Sequence, residues 1–239
     1  MTEHTYPVEL LGAQPSPADP HDFRLELDTT AGLPARYLAS PMPLVLNQNV
    51  RPAGQPLGTC VSHAGAGAKS WEERRDGHGW LDFDPFWLYA QCKRTDGLPG
   101  VEGTTMRALC AVLLKQGAQV RGQKGSAPGF RIASYAAVPM TEDALKRAVF
   151  QQGPVLIATA WYANWMHFGG YVLPRPTGSP IGGHGRWLWG WDDTIGGRSA
   201  LVRNSWGAAW CDNGSSYDPW RFLLPAMHDA WRLTDRLGD

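Results

Sequence analysis

Apolar positions change their spacing about halfway along the chain. Between about 58 and 118 they fall at helical intervals. One segment begins at Cys60 and runs through Ala64-Gly65-Ala66-Gly67-Ala68 to Trp71. A second follows Asp84-Pro85, a capping residue and then proline at the first helical position, and carries Phe86, Leu88 and Tyr89. A third opens near Thr104-Thr105 and runs as MRALCAVLLKQ to a stop at Gly117. Two glycines inside the first segment cost about 1 kcal/mol each relative to alanine, so that helix must pack tightly against another element or break early. Past about 130 the pattern shortens. Thr141-Glu142-Asp143 opens the helix ALKRAVFQQ, which Gly153-Pro154 ends, and strand-like runs follow at Val155 to Thr159, Arg186 to Gly190 and Ser199 to Arg203. Turns at Asp192-Asp193 and Gly196-Gly197 separate them. Residues 1–40 are rich in proline and polar residues, with one strand candidate at Phe23 to Leu27, and read as an extended arm, either a short pro-segment or a strap. The expectation is an α+β protein in two lobes within residues 41–239, helical over about 58–125 and β-rich over about 130–225.

Composition narrows the function. A chain of 239 residues can bury a sizeable core, and 43% apolar against 18% charged residues reads as globular. Lys and Arg balance Asp and Glu at 22 each, which leaves no electrostatic footprint for nucleic acid or an anionic membrane. Twelve tryptophans imply aromatic packing. No apolar run reaches the roughly 18–20 residues of a membrane span, and the N-terminus lacks a basic start and apolar stretch, so neither span nor signal peptide is expected. The four cysteines, at 60, 92, 110 and 211, form no C-x-x-C pair. Reduced thiols without a zinc site or disulfide framework follow, compatible with a cytoplasmic or virion-associated location.

Thiol chemistry needs a thiolate, a base beside it and a group that orients the base. In QPLGTCVSHA, Cys60 follows a Pro/Gly turn at a helix start, where the positive end of the helix dipole favours a thiolate. Ile181-Gly182-Gly183-His184 sets a histidine at the start of a strand, and Arg203-Asn204-Ser205-Trp206-Gly207 ends another. Asn204 can accept from one imidazole nitrogen and leave the other facing Cys60, while Trp206 covers that bond. The remaining candidates read as structural: His63, one turn past Cys60, as a packed histidine; Asp82 and Asp84 as helix-start residues; Asp192-Asp193 as a strand-end turn. Cys92 and Cys110 read as buried thiols, and Arg107 and Lys115 as a solvated helix face. His78 and His167 have no partner pattern.

LGTC, GGH and RNSWGAAWCDNG, in that order, resemble the motifs of the papain-like cysteine peptidases over about residues 34–225, and the PFWLY helix and the Glu102-Gly103-Thr104-Thr105 helix start resemble the bacterial and phage branches more than the secreted lysosomal ones. His184 lies 124 and Asn204 144 residues after Cys60, near the roughly 130–150 expected there. The resemblance implies a helical left lobe and a β-barrel-like right lobe with the active site in the cleft between them, and no metal or organic cofactor. It implies Cys60 as nucleophile, His184 as general base and acid, Asn204 as orienter, Trp206 as shield and the Cys60 backbone N–H as one oxyanion donor. The family's second donor is a glutamine six residues before the nucleophile, but that position is Gly54. Gln55 is one residue too near. Gln48 matches the Val-x-Asn-Gln pattern but requires a six-residue insertion, so both stay candidates. Ala158 and Gly183 map to the main side-chain pocket, with Glu102 and Gly103 on the opposite wall. The implied partner is a peptide or protein substrate. Two other readings remain: a thiol amidase or transpeptidase acting on cell-wall or isopeptide bonds, and a catalytically weak scaffold serving as a structural or binding subunit.

Overall fold

The computed structural model describes residues 6–123 and 130–236. Helix α1 (Cys60–Arg75) is the hub, and every residue from Cys60 to Glu73 is buried. A helix covered on all sides needs small residues where neighbours come closest. A Cβ on Gly65 would run into the Leu109 side chain, and one on Gly67 would lie 3.0 Å from Trp187. The two glycines therefore mark tight packing and not an early break. Around α1 lie α2 (Pro85–Lys93), capped by Asp84, which accepts from the Phe86 and Trp87 amides, and α3 (Met106–Lys115), capped by Thr105.

The second lobe is one seven-stranded sheet and helix α4 (Glu142–Gln151). Its strands are β2 (Arg36–Leu38), β4 (Ile132–Ala137), β5 (Val155–Tyr162), β6 (Pro180–Asp192), β7 (Ser199–Arg203), β8 (Ser215–Pro219) and β9 (Met227–Asp235), all paired antiparallel. The order is β4-β9-β5-β6-β7-β8, with β2 beside the end of β6. Strand β6 is 13 residues long and pairs with β5 in its first half and with β7 in its second, so one strand joins both halves of the sheet. The order remains open among the described residues, so the barrel-like lobe expected is a sheet that does not close.

Three expectations change. The run Phe23 to Leu27 forms no strand: only Arg24 bridges, to Ala137, and Phe23 is 81% exposed. The sheet continues past residue 225, through α5 (Trp220–Ala226) to β9, which lies between β4 and β5. Its charges hide it in the sequence, since Arg232 pairs with Glu72 and Asp235 with Lys69, both on the buried face of α1. Arg107, expected in solvent, pairs with Asp22 of the arm and lies 5.5 Å from the Trp231 ring centroid. The first five residues of the arm, and residues 124–129 at the expected lobe boundary, lie outside the described residues.

Candidate active site

Cys60 is the first residue of α1, after a Thr59 whose side chain makes no cap bond. The early amides of the helix therefore point at the thiol. His184 rises from β6 and Asn204 follows the last residue of β7. Asn204 Oδ1 and His184 Nε2 lie 2.8 Å apart, which makes Nε2 the donor and leaves Nδ1 for the thiol side. Trp206 tilts over the imidazole with centroids 4.8 Å apart, and Trp161 meets it edge-on at 4.7 Å. The close approach of β6 to α1 depends on Gly185, where a Cβ would meet the Val61 backbone at about 3 Å. The Gly185 amide donates to Cys60 Sγ at 3.3 Å, and His184 Nδ1 has no hydrogen-bond partner among the described residues. Gly185 was not singled out from the sequence, although it completes the run GGHG.

Of the two glutamines, Gln48 is the one brought here. Its backbone N–H donates to the Ser205 carbonyl at 2.7 Å, and its Oε1 accepts from Ser205 Oγ at 2.6 Å. The residues after it bulge outwards, with Val50 74% exposed, and return through a half-buried Gln55 to the turn before Cys60.

The cleft is filled by the chain's own arm. Leu10 is fully buried, and its carbonyl accepts from Gln48 Nε2 at 2.9 Å. Gly12 donates to the Gly183 carbonyl and accepts from the Thr104 amide, both at 2.9 Å. Ala13–Gln14 form β1, parallel to β3 (Thr104–Thr105). This passage is too narrow for side chains: a Cβ on Gly12 would strike the Gly58 carbonyl, one on Gly103 the Gly12 carbonyl, and one on Gly183 the Ala13 carbonyl. Gly103 and Gly183, expected as walls of a substrate groove, thus face each other across the arm. Ala158 is buried in β5 opposite Gly185. On the far side of Cys60, Tyr6 stacks on Trp206 at 4.7 Å and Leu10 enters a basin of Trp161, Trp165, Met166 and Trp210. This basin was not anticipated from the tryptophan count alone.

The covering sets the electrostatics. Burial pushes the Cys60 thiol up to about 11, against amides of Gly185, Gly12 and Val61 that favour the thiolate. Burial, and then the charge of Arg186, hold His184 down at about 3, with the Asn204 bond opposing. Both shifts favour the neutral forms of thiol and imidazole. His63 is buried with Nδ1 2.9 Å from the Thr59 carbonyl, the packed histidine expected. His78 pairs with Glu73, His167 is exposed, and Asp192 accepts from Thr194 within its turn.

A helix that begins with a cysteine packs here on a sheet that carries a histidine, with an asparagine just past β7, in a papain-like fold. The sequence model of the papain family cysteine proteases matches residues 111–217, and the fold is papain-like throughout. Xylellain, a cysteine protease from Xylella fastidiosa, superposes with a TM-score of 0.83 over 99% of both chains, at 21% identity. The gut-specific cysteine proteinase of Caenorhabditis elegans is 31% identical over 85 residues, 36% of this chain and 26% of that protein. Cathepsin B-like protease 1 of Arabidopsis thaliana is 28% identical over 132 residues, 55% of this chain and 33% of that protein. The chain thus aligns with a third or less of the length of these two relatives. It is papain-like in fold and in the family model that matches it.

Proposed function

We propose that the chain is a cysteine peptidase that hydrolyses peptide bonds, held closed by residues 6–16 acting as a short pro-segment. The observation that carries this reading is the 2.8 Å His184–Asn204 contact beneath Trp206, with Cys60 at the start of α1 across Gly185. Once the arm leaves, water reaches both groups and the desolvation that keeps them neutral falls away. The His184 imidazole then takes the thiol proton, and the thiolate attacks a substrate carbonyl carbon. The developing oxyanion lies between the Cys60 backbone N–H and Gln48 Nε2, where the Leu10 carbonyl now sits. Nδ1 of His184 returns its proton to the leaving amine, and water hydrolyses the thioester. Asn204 keeps the ring in the tautomer that this needs.

Within the arm, the sulfur faces the Gly12 amide N–H, while the Leu10 carbonyl accepts from Gln48 Nε2. Supporting this reading would be hydrolysis of N-blocked dipeptidyl aminocoumarin amides by the full chain carrying Gly12→Val, with complete loss in Cys60→Ser and in His184→Ala. Turnover that persists in either variant would count against it.

A second reading, the catalytically weak scaffold, draws on the Cys60–Gly185 contact that stands where a thiol–imidazole bond would be. It predicts no turnover even with the arm displaced. Release of amine from a cell-wall peptide, with no turnover of linear peptides, would instead favour the amidase or transpeptidase.

A further inference from the structure

Two residues beyond His184, on the same face of β6, Arg186 is a fully buried cation. Its Nη1 lies 2.6 Å from Oδ2 of Asp218 on β8, and the other Asp218 oxygen accepts from Ser216 Oγ at 2.5 Å. Nε and Nη2 of the guanidinium find no hydrogen-bond partner among the described residues. The guanidinium lies instead over Trp161, with Cζ 4.6 Å from the ring centroid, and Trp161 in turn meets the His184 imidazole edge-on at 4.7 Å. Asp218, His184, His63 on α1, Arg203 at the end of β7, and Cys211 in the loop before β8 are the charged or titratable groups around it.

This arrangement is poorly explained as a stabilising ion pair. Desolvating two charges costs several kcal/mol, and apolar replacements of such pairs are often neutral or better. A guanidinium with unmatched N–H groups is worse placed still. Its location is informative: a fixed positive charge, backed by an aromatic plane, stands beside the one imidazole that must gain and lose a proton.

We propose that Arg186 is a positioning residue for His184, bracing Trp161 against the ring and fixing a positive charge beside it, with Asp218 as the counter-charge that limits the effect. This rests on the reading of Cys60 and His184 as the working thiol–imidazole pair. Such a charge makes the imidazolium a stronger acid. A stronger acid delivers its proton more readily to a leaving amine, but it exists over a narrower pH range. The alkaline limb of kcat/KM therefore falls at lower pH than it would without Arg186, in line with the direction in which Arg186 moves His184.

The test measures kcat/KM against pH with the dipeptidyl aminocoumarin amides, on full chains that all carry Gly12→Val so that arm release is common to every comparison. In Arg186→Met/Asp218→Asn, which leaves neither charge unpaired, the alkaline limb should move up by roughly one pH unit. In Asp218→Asn it should move down, because the counter-charge is gone. Arg186→Lys, which keeps the charge but not the flat face over Trp161, should leave the limb in place while lowering kcat. A purely structural role would lower kcat in these variants and move no limb. An unmoved limb in the double variant, or one that moves equally in Arg186→Lys, overturns the inference. Should the double variant fail to fold, as judged by its thermal transition, a limb that moves down in Asp218→Asn and stays in place in Arg186→Lys decides alone. A Gly12→Val chain that neither turns over nor alkylates at Cys60 overturns the peptidase reading and this inference with it. An active chain with an unmoved limb overturns only this inference.

Discussion

Gln48 uses both ends of its amide, Oε1 toward Ser205 and Nε2 toward the Leu10 carbonyl of the arm, which under the proposed mechanism stands where a substrate oxygen would. A donor fixed in this way requires no reorganisation when charge develops on the oxygen it holds. Gln48→Ala should therefore lower kcat of the opened enzyme by about 10²–10³, the usual cost of a lost oxyanion donor. Gln55→Ala, in the turn outside the cleft, should leave kcat unchanged. Steady-state kinetics on the two variants separates them. Residue by residue, the sequence singles out Cys60, His184 and Asn204 by their neighbours, and the fold sets Asn204 against His184 and the Gly185 amide against the Cys60 sulfur. The sequence left the glutamine open because the bulge after Gln48 changes spacing without changing position. Gly185 and the Trp161 plane escaped notice for a different reason: their roles lie in how closely two elements approach, which no linear motif records.

At the scale of elements, the approach of β6 to α1 decides whether histidine and thiol meet. Gly185→Ala would press a methyl group on the Val61 backbone and push the first turn of α1 away. Overpacking of this kind typically costs about 1–3 kcal/mol. The thermal transition should fall accordingly, and kcat should fall by far more than the stability loss explains. The helices and the strands beside His184 and Asn204 were legible because caps, Gly stops and β-branched runs bound them. Strand β9 was not, since its Asp229, Arg232 and Asp235 read as a polar tail until their buried partners are known. Asp229 accepts from Ser16 and Trp231, Arg232 pairs with Glu72, and Asp235 pairs with Lys69. Lys69→Met, which leaves Asp235 buried without its cation and Glu73 with only His78 beside it, should destabilise the fold by about 3–5 kcal/mol. Chemical denaturation reads this directly.

Over the whole molecule, release of the arm as proposed would couple closure to the protonation of the site. In the covered site burial holds His184 down at about 3 and the Cys60 thiol up at about 11, so the pair keeps its single proton on sulfur. In the opened site that proton sits on the imidazole, which gives it up at a lower pH than the covered thiol does. Closure should therefore weaken as pH rises through the range in which the opened imidazolium loses its proton, by up to tenfold per unit. Protection factors of the Leu11 and Gly12 amides, which bond to the Val8 and Gly183 carbonyls, should fall over that alkaline range.

The account stands on Cys60 and His184 being a reactive pair that the arm hides. Its most direct test is the rate at which iodoacetamide alkylates Cys60 at pH 6, mapped by mass spectrometry, in the full chain, in Gly12→Val and in Gly12→Val/His184→Ala. The account predicts slow labelling of the full chain, rapid stoichiometric labelling once Gly12→Val displaces the arm, and a return to slow labelling when the histidine is removed. A Cys60 that stays inert in Gly12→Val, or one that reacts equally fast without His184, would contradict it.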